Sequence, residues 1–247
     1  MNLLVDIGNT SVNWALASGQ QLERRGQFVH RGSDLARQLE SAWGRLAAPG
    51  RILVSNVAGE ALAGRLCAWI GRSWQVRPHF IRAGRQAAGV TNAYAQPELL
   101  GADRWAAMIA AWQATGDAVC VVDCGTAITV DLVDADGVHR GGLILPGVKM
   151  MQQALCAHTA DLPLPHADQA PVLLATTTSG AIDSGSLYAA AAAVERIATD
   201  MAASSGLQPA VVITGGDAQR LAPLLGLVAR YDADLVLKGI AILAGEN

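Results

Sequence analysis

One pattern occurs twice in the chain, and it narrows the possible folds. Val5–Leu16 reads VDIGNTSVNWAL, and Val122–Val133 reads VDCGTAITVDLV. Each copy runs from an apolar stretch through an Asp, a spacer, a Gly and two small residues into a second apolar stretch, as in two strands joined by a tight turn. RILVSNV (Arg51–Val57) and PAVVITGGDA (Pro209–Ala218) are further β-rich runs that end in turn residues. Helical patterns alternate with them over Ser33–Ala47, Gly59–Ile70, Gly101–Ala114 and the alanine-rich Leu187–Ala203. The order hairpin, helices, strand is thus given twice. It predicts two duplicated α/β domains, 1–116 and 117–247, with the boundary near Thr115–Ala118. Each should be a mixed sheet flanked by helices, with ligands in the cleft between them.

The doubled turn has two readings. A single D-x-G turn can be an ordinary hairpin. It can also cradle phosphate, because Gly lets the backbone approach a ligand and turn N–H groups point at anionic oxygens. Asp6 would repel phosphate unless a cation lay between them, and a divalent metal that keeps its waters is the natural bridge. Two copies at matching places favour the phosphate reading. ITGGDA (Ile213–Ala218) could let a flat group such as adenosine pass close to the backbone, or it could simply start a helix capped by Asp217. A Walker-type P-loop is excluded, since neither Lys149 nor Lys238 follows a glycine, and no G-x-G-x-x-G occurs.

Composition removes other classes. The 247 residues are 51% hydrophobic with a formal net charge of −3, which suits a globular chain and gives no basic balance for nucleic acid. Asp6 interrupts the N-terminal apolar run too early for a signal peptide, and no long charge-free stretch could span a bilayer, so a cytoplasmic protein is expected. Cys67, Cys120, Cys124 and Cys156 form no C-x-x-C and read as small core residues in a reducing compartment. His30, His79, His139, His158 and His166 show no metal-binding spacing.

The stretch TNAYAQPELLGADRWAAMIAAW (Thr91–Trp112) is the candidate acceptor region. Pro97 and Glu98 suit a helix start or a turn. Asp103 could be no more than a first-turn acid and Arg104 a solvated charge. Alternatively, Asp103 takes a proton from an alcohol while Arg104 holds an anionic group on the same acceptor. An ordinary carboxylate is a weak base, but phosphoryl transfer depends mainly on alignment and charge stabilisation. Trp105, Met108 and Trp112 form a stripe at helical spacing, which is more often core than interface.

The two hairpins with the late Gly-Gly turn resemble the acetate and sugar kinase, Hsp70 and actin superfamily, whose domains are ribonuclease H-like (actin-like ATPase) folds with the active site in the interdomain cleft. The ordered set DIGNT, Tyr94, GADRW, DCGTAIT, GGLILPG and TTTSGAIDSG is more specific. It resembles type III pantothenate kinase from Leu4 to the final LKGIAIL. The resemblance implies a transferase that phosphorylates pantothenate with ATP, the first step of coenzyme A biosynthesis.

By that resemblance, Asp6, Ile7, Gly8, Asn9, Thr10, Ser11, Val12 and Asn13 would bind ATP, and Asp6 would hold Mg²⁺ through water. Thr126 would contact ATP in the second hairpin. Asp103 would be the base, and Tyr94, Gly101, Ala102, Asp103, Arg104 and Thr178 would hold pantothenate. Asp123 would ligate a monovalent cation, K⁺ or NH₄⁺. A homodimer is implied, with no nucleic-acid or membrane partner. Thr177 stands where the family usually has Asn. Neutral Asn13 stands where many members carry a basic residue, which implies weak ATP binding. Two alternatives are a kinase of the same superfamily acting on a sugar or acetate, and a nucleotide-binding regulator without catalysis, since some relatives were first described as accessory factors for transcription.

Overall fold

The computed structural model describes residues 1–159, 162–165 and 170–245. The chain divides into two units, Met1–Ala114 together with the segment from Asp234 onward, and Thr115–Ala233.

In the first unit β1 (Asn2–Ile7), β2 (Ser11–Ser18) and β3 (Gln21–Val29) form an antiparallel meander. After α1 (Leu35–Trp43), β4 (Arg51–Asn56) returns parallel to β1. After α2 (Glu60–Trp74), the short β5 (His79–Phe80) adds to the edge, giving the order β3-β2-β1-β4-β5. β1 lies in the centre, which explains its nearly unbroken apolar run. Leu3, Val5 and Ile7 pack with Trp14, Phe28, Leu39, Trp43, Ile52, Leu66 and Trp69 in one core. Alternation along the strand turns Leu4 and Asp6 to the opposite face. A small hairpin of β6 (Gln86–Ala87) and β7 (Val90–Thr91) and a 3₁₀ turn at Pro97–Leu99 then lead to α3 (Ala102–Thr115). In α3 Trp105 and Met108 are buried, so that stripe belongs to the core.

The second unit repeats the scheme. β8 (Val119–Cys124), β9 (Ala127–Val133) and β10 (His139–Pro146) are antiparallel, followed by α4 (Val148–His158) and the long α5 (Thr178–Ser205). β11 (Ala210–Thr214) runs parallel to β8, a short helix α6 (Ala218–Leu221) follows, and β12 (Ala229–Tyr231) closes the order β10-β9-β8-β11-β12. The two sheets have the same topology, which is the expected ribonuclease H-like duplication. Cys120, Cys124, Ile128, Leu187, Ala190 and Val194 lie in one core. All four cysteines are free, and burial pushes the Cys120 thiol up to about 12, so it packs as a neutral apolar group.

The last helix, α7 (Leu235–Gly245), differs from expectation. The sequence places it in the second domain, 117–247, but it packs on β1, β2 and β4 of the first unit. Arg51 Nη1 donates to Ala244 O at 3.0 Å, and a Cβ on Gly239 would meet the Ala106 backbone at 1.9 Å. Only glycine permits that approach of α7 to α3. Among the described residues no helix is long and apolar enough to cross a membrane, and no group of three or more His, Cys, Asp or Glu could hold a metal ion. His139 is buried and lies 3.0 Å from Asp131, which gives it a structural partner, while His166 lies outside the described residues.

Candidate active site

The register of each sheet determines what surrounds the two repeated aspartates. Asp6 lies opposite Asn13 on β2 and opposite Ser55 on β4. Asp123 lies opposite Thr129 on β9 and Thr214 on β11. Directly opposed residues share a face of the sheet, so each carboxylate sits between two small polar side chains on the central strand, one residue before that strand ends. Ser55, Thr129 and Thr214 were not named from the sequence. They face the aspartates only through strand pairings, two of which join segments far apart in the chain.

Asp6 is 8% exposed, and its Oδ1 has no hydrogen-bond partner among the described residues. Burial, and then the neighbouring Asp103 carboxylate, raise its pKa to about 7, with Ser55 and Asn13 opposing the rise. A buried carboxylate oxygen without a donor, close to a second carboxylate, suits a hydrated cation.

The first turn is closed by the protein itself. Gly8 N donates to Ser11 O at 3.0 Å, so this N–H does not point outward as the phosphate reading expected. His30 Nε2 lies 2.8 Å from Gly8 O, and the backbone N–H groups of His30 and Arg31 both donate to Thr10 O. His30 thus braces the turn from the end of β3, a role with no sequence signal beyond its being a histidine after a strand. Ile7 and Val12 are buried core residues flanking the turn, whereas Asn9 is exposed and Thr10 and Ser11 are half-buried.

At the start of α3 the Asp103 Oδ1 accepts from Arg104 N at 2.8 Å. Arg104 is only 7% exposed and is therefore not a solvated charge. Its Nη1 donates to the Tyr94 hydroxyl at 3.0 Å, and the guanidinium carbon lies 5.8 Å from the Tyr94 ring centroid. A Cβ on Gly101 would lie 2.5 Å from Asp103 Oδ1, so any larger residue there would displace that carboxylate. Asp6, Asn13, Tyr94, Gly101, Ala102, Asp103 and Arg104 all belong to the first unit.

Asp123, Thr126 and Thr178 belong to the second unit. Two glycines not singled out for packing hold its turn. Gly147 N donates to Thr126 O at 3.1 Å, and a Cβ there would lie 2.4 Å from Gly125 O and Thr126 O. Gly215, at φ +94°, would place a Cβ 2.5 Å from Asp123 Oδ1 and from the Cys124 backbone. The first glycine of the Gly-Gly turn is therefore required by the protein's own second hairpin, while a Cβ on Gly216 would meet nothing within 4 Å. Gly215→Ala should lower stability by about 2–4 kcal/mol, combining strain at positive φ with overpacking. A shift in the urea midpoint would measure this.

Asp217 is the N-cap residue of α6, as the helix-entry reading expects, but its side chain makes no capping bond. Burial raises its pKa, Lys149 and Arg220 hold the rise back, and Asp183 adds to it. Asp183 itself accepts from Gln152 Nε2 at 2.9 Å and Arg220 Nη2 at 2.6 Å. Thr177 is the N-cap of α5, its hydroxyl accepting from Gly180 N at 3.1 Å. Thr and Asn both serve at an N-cap, so the departure at this position leaves the turn intact. Thr178 is exposed in the first turn of α5.

With this geometry in hand, comparison with known proteins is direct. A family model described as type III pantothenate kinase matches residues 2–200. A type III pantothenate kinase of Nitrosococcus oceani is 42% identical over 252 residues, covering 100% of this chain and 95% of that protein. A solved Campylobacter jejuni structure, named for a Baf family of transcriptional activators, aligns with a TM-score of 0.61 at 25% identity over 99% of this chain and 98% of its own. The ADPNP-bound activator of 2-hydroxyisocaproyl-CoA dehydratase from Clostridium difficile aligns with a TM-score of 0.55 at 12% identity over 98% of this chain and 92% of its own, a likeness of fold. By its matched residues and its full-length relative, the chain belongs to the type III pantothenate kinase family.

Proposed function

We propose that the protein transfers the γ-phosphoryl group of ATP to the primary hydroxyl of pantothenate, giving ADP and 4′-phosphopantothenate, the entry into coenzyme A biosynthesis. The observation that carries this reading is the buried Asp6 Oδ1 without a donor, with the Asp103 carboxylate near enough to raise the Asp6 pKa and Arg104 seated on Tyr94, in a chain of this family. One carboxylate suits a cation at the phosphate turn. The other stands at a helix start where an alcohol can be aligned.

In this reading Asp103 orients the hydroxyl and takes its proton as the oxygen attacks phosphorus, and the β–γ bridging oxygen leaves with ADP. Arg104, held by Tyr94, pairs with the pantothenate carboxylate. Gly101, Ala102 and Thr178 complete the acceptor's contacts. Asp6–Asn13 and Thr126 bind the nucleotide. Asp6 would hold Mg²⁺ through water and Asp123 would ligate K⁺ or NH₄⁺. When bound, these cations offset the charge of the triphosphate. The Asp6 Oδ1 without a donor supports the first assignment, and the carboxylate of Asp123 between two threonines supports the second. We further propose a homodimer and a cytoplasmic location.

The test is a coupled ADP-release assay with pantothenate and Mg²⁺. Turnover is expected with K⁺ or NH₄⁺ and should fall at least tenfold with Na⁺ alone. ADP release that ignores pantothenate would refute the acceptor, and equal rates in K⁺ and Na⁺ would refute the role of Asp123.

A further inference from the structure

Asn92 is 1% exposed, and both ends of its side-chain amide are engaged. Its Oδ1 accepts from Tyr94 N at 3.0 Å, and its Nδ2 donates to Gly84 O and to Pro97 O, both at 3.2 Å. Its backbone N donates to Arg85 O at 2.9 Å. Arg85 answers from outside the loop: Nη1 donates to Asn92 O at 3.1 Å and Tyr94 O at 2.9 Å, and Nη2 to Ala95 O at 3.2 Å. The arrangement ties 84–97 into one closed loop.

Both ends of that loop rest on α3. At its tip Ala88 and Gly89 have φ of 49° and 87°, the pair of positive angles that a two-residue hairpin turn needs. Gln113 Nε2 donates to Ala88 O at 3.1 Å, and a Cβ on Gly89 would lie 2.6 Å from the Trp112 ring, so the tip seats on the last turns of the helix. At the other end the Tyr94 hydroxyl meets Arg104 in the first turn. Asn92 sits at the base between the two contacts.

We infer that Asn92, seconded by Arg85, is a positioning residue for acceptor binding: it sets the Tyr94 ring against Arg104 and so holds the guanidinium for the acceptor's carboxylate. The inference rests on the proposed role of Tyr94 and Arg104. The site needs two donors aimed at carbonyls and one acceptor aimed at an N–H, and among side chains of this size only the amide supplies both. In Asn92→Asp two carbonyl oxygens would face a carboxylate.

Steady-state kinetics with pantothenate and ATP varied in turn tests it. Asn92→Asp should raise KM for pantothenate roughly tenfold or more while leaving KM for ATP and kcat at saturating pantothenate within about twofold. Arg85→Ala should act in the same direction but less, and Arg85→Lys should recover part of the loss. Arg85 is exposed, so its variants decide the matter if Asn92→Asp does not fold. Tyr94→Phe and Arg104→Gln serve as controls. If they raise the pantothenate KM and the Arg85 and Asn92 variants do not, the positioning role is overturned and the acceptor reading stands. If substitutions at all four residues leave it unchanged, the acceptor reading fails and takes this inference with it. An equal rise in both KM values would also overturn it, because a general loosening of the fold would not single out one substrate.

Discussion

Asp103→Asn is expected to lose turnover by roughly 10²-fold or more while its unfolding free energy in urea stays within about 1 kcal/mol of the parent. The amide keeps the size of the side chain and an oxygen that can accept from Arg104 N, as Asp103 Oδ1 does at 2.8 Å. What it loses is the charge and the ability to take a proton. A plain first-turn acid would behave differently: Asn there would cost the helix at most about 1 kcal/mol of dipole stabilisation, and turnover would hardly change. The two accounts of Asp103 therefore separate on one measurement, provided folding is followed in parallel. The loss should appear in kcat and in kcat/KM together, since proton removal belongs to the transition state. Turnover within a few-fold of the parent would remove Asp103 as the base.

How far the sequence could be read depended on the distance between the residues concerned. The hairpins β1–β2 and β8–β9 were legible because a turn and its two strands are one local unit, with Asp6 and Asp123 in the same place in both. The strands β4 and β11 were legible as apolar runs. Their neighbours were not, because Ser55 comes beside Asp6, and Thr214 beside Asp123, only through parallel pairing of remote segments. Residues 235–245 carry no local sign of their unit, and the fit of Gly239 against the Ala106 backbone is visible only once the helices pack. The first turns of α5 were hidden by the polar, glycine-containing TTTSGAIDSG. There the helix is held by the Thr177 cap and by Asp183, buried between Gln152 and Arg220. Arg104 showed the same limit: one sequence offers a solvated cation or an anion holder, and its burial beside Tyr94 decides against solvent.

Asp6→Asn should make the metal-free protein more stable at pH 8 while cutting turnover roughly 10²-fold, the scale for losing a preorganised electrostatic group. The sign follows from linkage. Asp6 has a folded pKa of about 7 against the ordinary value of 3.8, so between these two values the folded state binds more protons than the unfolded one. Stability from this group therefore falls as pH rises through that window and is fully lost above it, an upper bound of about 4 kcal/mol. The Asn variant has no such titration. In metal-free buffer its advantage over the parent should widen from pH 5 to pH 8 by about 3 kcal/mol. Part of the raised pKa comes from Asp103, so the same pH series run on Asp103→Asn should show a smaller widening against Asp6→Asn/Asp103→Asn. Mg²⁺ should stabilise the parent at pH 8, do so less at pH 6 where Asp6 is largely protonated, and leave Asp6→Asn little changed. A stability difference that is flat across pH 5–8 would mean that Asp6 is ionised throughout. The buried, donorless Oδ1 would then no longer argue for a cation beside the phosphate turn.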